Sequence, residues 1–270
     1  MKLGIVIPLK SKKVSKDWRL TCDNLQATVN SIINQKQSDF NVLIVGHERP
    51  EFLSDEPYRS KKIFFEELTE LTPPNSQTDK IKNQLLFEKD RCSKILKGVN
   101  SLRKSDPEIN YWFPLDADDL IHRNFVSEIY EIISKNEYDF IVLNRGYIFY
   151  KSSNTFIKEN NFSLYCGSSA IVKDHLIPNH ANIADNSYRD FIFGQIPHTQ
   201  MLEYAKENKM SLHVPEKHIV MYCKDHGENI SDETRPTNLW YSIKRNLKIK
   251  LKKIYLTKDI NKAFFFETGN

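Results

Sequence analysis

Three short apolar runs limit what this chain can become. Leu3 to Leu9, Phe40 to Gly46 and Tyr111 to Leu115 are rich in branched and aromatic side chains, and each is too brief for a buried helix. They read as strands covered on both faces. Helical periodicity fills the intervals. Asn24 to Gln35 places Leu25, Val29, Ile32 and Ile33 on one face. Asp79 to Leu102 offers Leu85, Leu86, Ile95, Leu96, Val99 and Leu102 as buried positions, and Asn124 to Ser134 offers Phe125, Ile129, Ile132 and Ile133. Weaker strands are expected at Lys62 to Phe65 and Tyr138 to Leu143, with loops at Ser54 to Ser60 and Thr72 to Thr78. Strands alternating with helices predict an α/β fold with a mixed, mostly parallel sheet flanked by helices. From about Ile148 the pattern loosens into strands at Ile148 to Tyr150, Ser169 to Val172 and His218 to Tyr222 and a helix at Met201 to Lys209.

In such a sheet, ligands gather beyond the carboxyl ends of the strands. Pro8, His47 and Asp116 each lie just past one, so a single cleft would hold all three. The segment Tyr111-Trp112-Phe113-Pro114-Leu115-Asp116-Ala117-Asp118-Asp119 passes from an apolar strand to three carboxylates within four residues. Carboxylates that close repel one another. A hard divalent cation, Mn2+ or Mg2+, shared with substrate phosphates is the counter-charge that fits best. Asp119 has a second reading, as the cap of the helix that follows. Trp112, inside the strand, reads as core.

Bulk properties narrow the class. The net charge of +4 is too small to argue for a nucleic-acid partner. Cys22, Cys92, Cys166 and Cys223 form no CxxC pair, so neither a zinc knuckle nor a redox motif is indicated, and scattered thiols suit a reducing compartment. No stretch approaches the roughly 20 apolar residues of a membrane span. The opening run is too short for a signal-peptide core. A cytoplasmic protein is expected, with contact to the inner face of a membrane as an option.

The ordered pieces Gly4-Ile5-Val6-Ile7-Pro8, Thr28 to Gln35, Phe40 to Glu48, Leu115-Asp116-Ala117-Asp118-Asp119 with Phe125-Val126 after it, and Val214-Pro215-Glu216 with His226-Gly227-Glu228-Asn229-Ile230-Ser231 stand in one order along residues 1–232. Together they resemble a glycosyltransferase of the GT-A fold, close to glycosyltransferase family 2. The resemblance implies a GT-A domain over 1–235, with a nucleotide-binding half at 1–120 and an acceptor-side half at 121–235. It implies metal-dependent transfer of a sugar, with inversion, from a nucleotide-diphosphate sugar donor to a hydroxyl on a glycan or lipid-linked acceptor, as in surface polysaccharide synthesis. Two departures stand out. Such enzymes commonly carry Asp-Asp or Asp-Gly-Ser after strand two, where this chain has Gly46-His47-Glu48. They commonly carry Glu-Asp before the late helix, where this chain has Ile196-Pro197-His198-Thr199.

Residue by residue, the resemblance makes Asp118 the main metal ligand and divides Asp116 between metal and donor ribose. His226 is a further ligand or a phosphate contact, or else a turn histidine. Pro8 would shape a nucleobase pocket through backbone groups. Glu48 would accept a hydrogen bond from base or ribose, or lie on the surface, and His47 shares that ambiguity. Arg91 and Lys94, three apart on a helix, either reach the diphosphate or line a solvated face. His198 stands where the base is expected, with Asp190 and Asp185 as competitors. Gly167, in Tyr165-Cys166-Gly167-Ser168-Ser169, would let backbone approach the acceptor. Asn229 and Ser231 read as turn stabilisers.

After Pro236 a basic amphipathic extension is expected over 236–270. Trp240, Ile243, Leu247, Leu251 and Ile254 share a stripe among lysines, so residues 238–258 either pack on the domain or lie on an anionic membrane. Two other functions compete. One is a catalytically inactive sugar-binding or scaffold protein. The other is a phosphatase of the haloacid dehalogenase type, which needs its DxD on an early strand rather than in mid-chain.

Overall fold

The computed structural model describes residues 2–61, 63–75, 80–179, 183, 186–228, 247, 249, 251–254 and 257–264. The strands are β1 (Lys2–Pro8), β2 (Phe40–Gly46), β3 (Phe64–Glu67), β4 (Ile109–Pro114), β5 (Leu120–Ile121), β6 (Phe140–Val142), β7 (Gly146–Tyr150), β8 (Thr155–Glu159), β9 (Ala170–Lys173), β10 (Leu212–His213), β11 (Val220–Lys224) and β12 (Lys253–Ile254). The helices are α1 (Trp18–Ile33), α2 (Lys80–Ser105), α3 (Phe125–Lys135), α4 (Ile192–Gln195), α5 (Met201–Glu207) and α6 (Lys258–Phe264).

The first sheet has the order β10-β6-β9-β4-β1-β2-β3 and is parallel except for β9, which runs against both its neighbours. This is the mixed, mostly parallel α/β sheet that the alternating pattern implies. Side chains alternate across β1. Leu3, Ile5 and Ile7 pack with Leu25, Val29 and Ile32 of α1, whereas Val6 packs with Ile95, Leu96 and Val99 of α2. Each of those α2 side chains is fully buried, worth about 1.5–3 kcal/mol of transfer free energy apiece. Gly98 lets α2 sit this close, since a methyl there would overlap Val6. Trp112 is core, with no exposed surface.

Several expectations need correction. The first helix begins at Trp18, not Asn24, because Asp17 caps it by accepting from the Leu20 backbone N–H at 3.1 Å. Leu85 and Leu86 are not buried but 48% and 37% exposed, and Phe87 is the buried residue of that turn. Asp119 does not cap the third helix, which starts after Asn124.

A second sheet, β12-β8-β7-β11-β5, joins the strands expected near Ile148 to Tyr150 and His218 to Tyr222 to three that lay outside the sequence reading. It brings the described part of the basic extension onto the rest of the chain. Ile254 is in β12, opposite Phe156, and Phe264 of α6 is buried against a cluster that includes Leu120 and Phe149. Ile254 therefore does not continue a helical stripe. Leu247 and Leu251 are 55% and 76% exposed. Trp240 and Ile243, and most of the 238–258 helix, lie outside the described residues, as do Asp185, Asn229 and Ser231. Among the described residues no helix is long and apolar enough to cross a membrane.

Candidate active site

The register of the central strands builds the site. Pro8 of β1 lies opposite Val45 of β2, and Val6 lies opposite Pro114 of β4, so three carboxyl ends come out level. Backbone bonds carry the alignment past the strands, from Leu9 N to Val45 O (2.8 Å) and from Leu115 N to Val6 O (2.9 Å). Beyond these ends opens a cavity of about 530 Å³. Pro8, Arg91, Lys94, Asp116, Asp118, Gly167, His198 and His226 all line it. Glu48 and Asp190 do not. Glu48 accepts from the Lys12 backbone N–H at 2.9 Å and so closes the loop after β1, while Asp190 is exposed to solvent.

The three carboxylates do not converge on one point. Asp116 Oδ1 is held by Arg91, with Nε at 2.8 Å and Nη2 at 2.7 Å. Burial would lower the Arg91 pKa, but the Asp116 charge outweighs it and raises it above the ordinary arginine value. Gly167 makes this possible. A methyl there would come within 2.8 Å of Arg91 Nη2 and closer still to Asp116 Oδ2. Asp118 Oδ2 accepts from His226 Nε2 at 2.9 Å. The tautomer follows from the other ring nitrogen. His226 Nδ1 faces two donors, the Asn24 amide at 3.1 Å and the Glu228 backbone N–H at 3.3 Å. Lys151 Nζ, 2.6 Å from Asn24 Oδ1, fixes that amide's orientation. The ring proton is therefore assigned to Nε2. Asp119 is 1% exposed and lies behind the cavity, where it accepts from Ser168 Oγ (2.7 Å), Cys166 Sγ (3.1 Å) and Cys223 N (3.3 Å). Burial first, then the Asp118 and Asp116 charges, push its pKa well above the usual carboxylate range.

Lys94 does not offer a free ammonium. It is 1% exposed and ion-paired to Asp90, which also bonds His47 Nε2 at 2.7 Å. Burial lowers the Lys94 pKa, and Asp90 opposes the shift. His198 is half-buried near Arg91 and Asp116. Burial and then the Arg91 charge lower its pKa below 6.5, with Asp116 opposing.

Sequence reasoning missed the supports. Glu228 bonds Lys10 Nζ (2.8 Å) and the backbone N–H groups of Lys16 (3.2 Å) and Asp17 (2.7 Å), which ties the loop after β11 to the loop after β1. Burial would raise its pKa, but the Lys10 bond and those N–H groups bring it below the usual carboxylate range. Asp90 was passed over although it sits four residues before Lys94, the spacing of a helical ion pair.

The donors available to a cation are few. Among the described residues no three His, Cys, Asp or Glu side chains come close enough to form a complete cage. Asp118 with His226 remains, a set suited to a hard ion that takes its other ligands from phosphate and water.

No protein-family model matches the chain, and no curated protein matches it. Among solved structures it is similar to S. aureus TarS 1–349 in complex with UDP-GlcNAc, at 14% identity over 96% of this chain and 68% of that one, with a TM-score of 0.49. The same protein in complex with UDP aligns at 14% identity over 83% of this chain and 61% of that one, with a TM-score of 0.45. S. aureus TarS itself aligns at 12% identity over 83% of this chain but 37% of its own length, with a TM-score of 0.47.

Proposed function

We propose that this chain is a GT-A glycosyltransferase that moves a sugar from a nucleoside-diphosphate donor to a hydroxyl acceptor. One observation carries the reading. Asp116, Asp118, Arg91, His226 and His198 come from four separate stretches of sequence and meet in one cavity at the carboxyl ends of β1, β2 and β4.

Each group has work that suits its surroundings. Asp116 fixes the Arg91 fork, so guanidinium N–H groups stand ready beside the space for a diphosphate. Asp118 and His226 would hold a Mn2+ or Mg2+ ion jointly with phosphate oxygens. Such an ion supplies Lewis-acid stabilisation of the departing diphosphate. For His226 to serve as a ligand, its ring proton would have to pass from Nε2 to Nδ1, an exchange that releases no net proton. Lys10 lines the same cavity with its charge balanced by Glu228.

His198 is the group we assign as base. Its depressed pKa keeps the imidazole neutral at physiological pH, the form that accepts a hydroxyl proton. A base on the face opposite the leaving group would give inversion. We place the acceptor between His198, Tyr165 and Gly167, which all line the cavity.

The test is a screen of nucleotide sugars for manganese-dependent hydrolysis and transfer. The reading expects turnover of at least one donor and loss of about 100-fold or more in Asp118→Ala. Full turnover by that variant would overturn the assignment of Asp118.

A further inference from the structure

We infer that Asp119 is a positioning residue that locks the acceptor-side wall of the cavity to the donor-side carboxylates, an inference that rests on the transferase reading above. Asp119 touches no space where a substrate could lie. Three donors on two segments bond it, Ser168 Oγ and Cys166 Sγ to Oδ2 and Cys223 N to Oδ1. The link through Ser168 differs from the others. Its one hydroxyl proton goes to Asp119, so its oxygen is turned to accept the Asp116 backbone N–H at 2.8 Å. The Asp119 backbone N–H in turn bonds the Asp116 carbonyl at 3.1 Å. A closed ring results, running from the Asp119 carboxyl through the Ser168 hydroxyl to the Asp116 backbone and back.

This ring joins two things that a transfer reaction must align. Asp116 carries the Arg91 fork. Ser168 follows Gly167, which faces that fork across a gap too small for a methyl. A movement of the Asp119 carboxyl therefore shifts the Arg91–Asp116 pair and the 165–168 wall together. Misalignment of reacting groups by about 1 Å costs on the order of 100-fold in rate. The two sequence readings of Asp119 both fail on this geometry. Its oxygens face three donors rather than the cavity, and the helix it was to cap begins at Phe125, with Asn124 at the cap position.

A merely structural acid would serve Cys166 and Ser168 alike, which gives the test. Cys166→Ala removes one donor to Oδ2 without touching Asp116. Ser168→Ala breaks the ring. Turnover of the donor with manganese and the melting temperature are measured for both, and for Ser168→Ala combined with Asp119→Asn. The expected result is a fall in kcat of about tenfold or more in Ser168→Ala and of less than about twofold in Cys166→Ala, with both melting lower. Adding Asp119→Asn to Ser168→Ala should lower kcat by less than about twofold further, since one pathway is already broken. Equal kcat in Ser168→Ala and the unmodified protein, or equal falls in the two alanine variants, overturns the inference. Should the double variant fail to fold, the two alanine variants decide the matter. Absence of turnover in the unmodified protein overturns the transferase reading instead.

Discussion

Gly167→Ala is the sharpest small perturbation of this site. A β-carbon at 167 would lie 2.8 Å from Arg91 Nη2 and nearer to Asp116 Oδ2, where ordinary contact begins at 3.4 Å. The guanidinium has to retreat by at least about 0.6 Å and the carboxylate by more, which amounts to roughly the 1 Å that costs on the order of 100-fold in rate. At 1.36 kcal/mol per tenfold, the transition state loses about 2.7 kcal/mol. The fold should hardly notice. Gly167 does not adopt positive φ, and both displaced groups have free surface, at 32% and 27%. Replacing Gly by Ala at a compatible backbone position also lowers the entropy of the unfolded chain, worth about 0.4–1 kcal/mol. Turnover of a nucleotide sugar and thermal melting, measured on the same sample, separate the two effects. The expected result is a fall in kcat/KM of about 100-fold with the melting temperature held within about 2 °C. Undiminished turnover would refute the close approach of the 167 backbone to the Arg91–Asp116 pair.

Other perturbations follow from the same contacts. Asp90→Ala leaves Lys94 buried without its counter-ion and should cost about 3–5 kcal/mol in urea unfolding, whereas Lys94→Met should cost much less. Glu228 has a depressed folded pKa, so its contribution to stability is complete above its unfolded value of about 4.5 and is lost as pH falls through the lower folded value. Melting curves of Glu228→Gln should accordingly converge with those of the unmodified protein in acid and fall below them at neutral pH. If His198 is the base, the acid limb of kcat/KM has its midpoint below pH 6.5 because burial disfavours the imidazolium. In His198→Ala that limb should vanish along with most of the activity, and its survival would assign it to another group.

Apolar periodicity carried most of the first sheet. Val6, Ile44 and Phe113 are buried from both sides, and nothing but a covered strand accommodates such runs. The same logic failed at Leu85 and Leu86, where the repeat continues but the helix face turns toward solvent. It was silent on β8, because Thr155 to Glu159 buries a charged residue, Glu159, that bonds the backbone N–H groups of Asn160 and Asn161. The site was legible in its parts. Strand ends placed Pro8 and Asp116 at the cavity, and the resemblance singled out Asp118 and His226, which line it too. What the sequence withheld was pairing. Arg91 and Lys94 share a helix face, yet one reaches Asp116 and the other Asp90, and spacing alone does not separate those destinations. Nor does a run of three aspartates reveal that the third turns backward to meet Ser168 and a thiol.

The account stands on a cation shared between Asp118, His226 and a diphosphate. Calorimetric titration of nucleoside diphosphates with and without manganese tests it most directly, in the unmodified protein and in Asp118→Ala. The account predicts that one nucleoside diphosphate binds at least about tenfold more tightly with manganese, a difference of about 1.4 kcal/mol, and that Asp118→Ala abolishes the difference. Affinity that ignores manganese, or a manganese effect that survives in the variant, would contradict it.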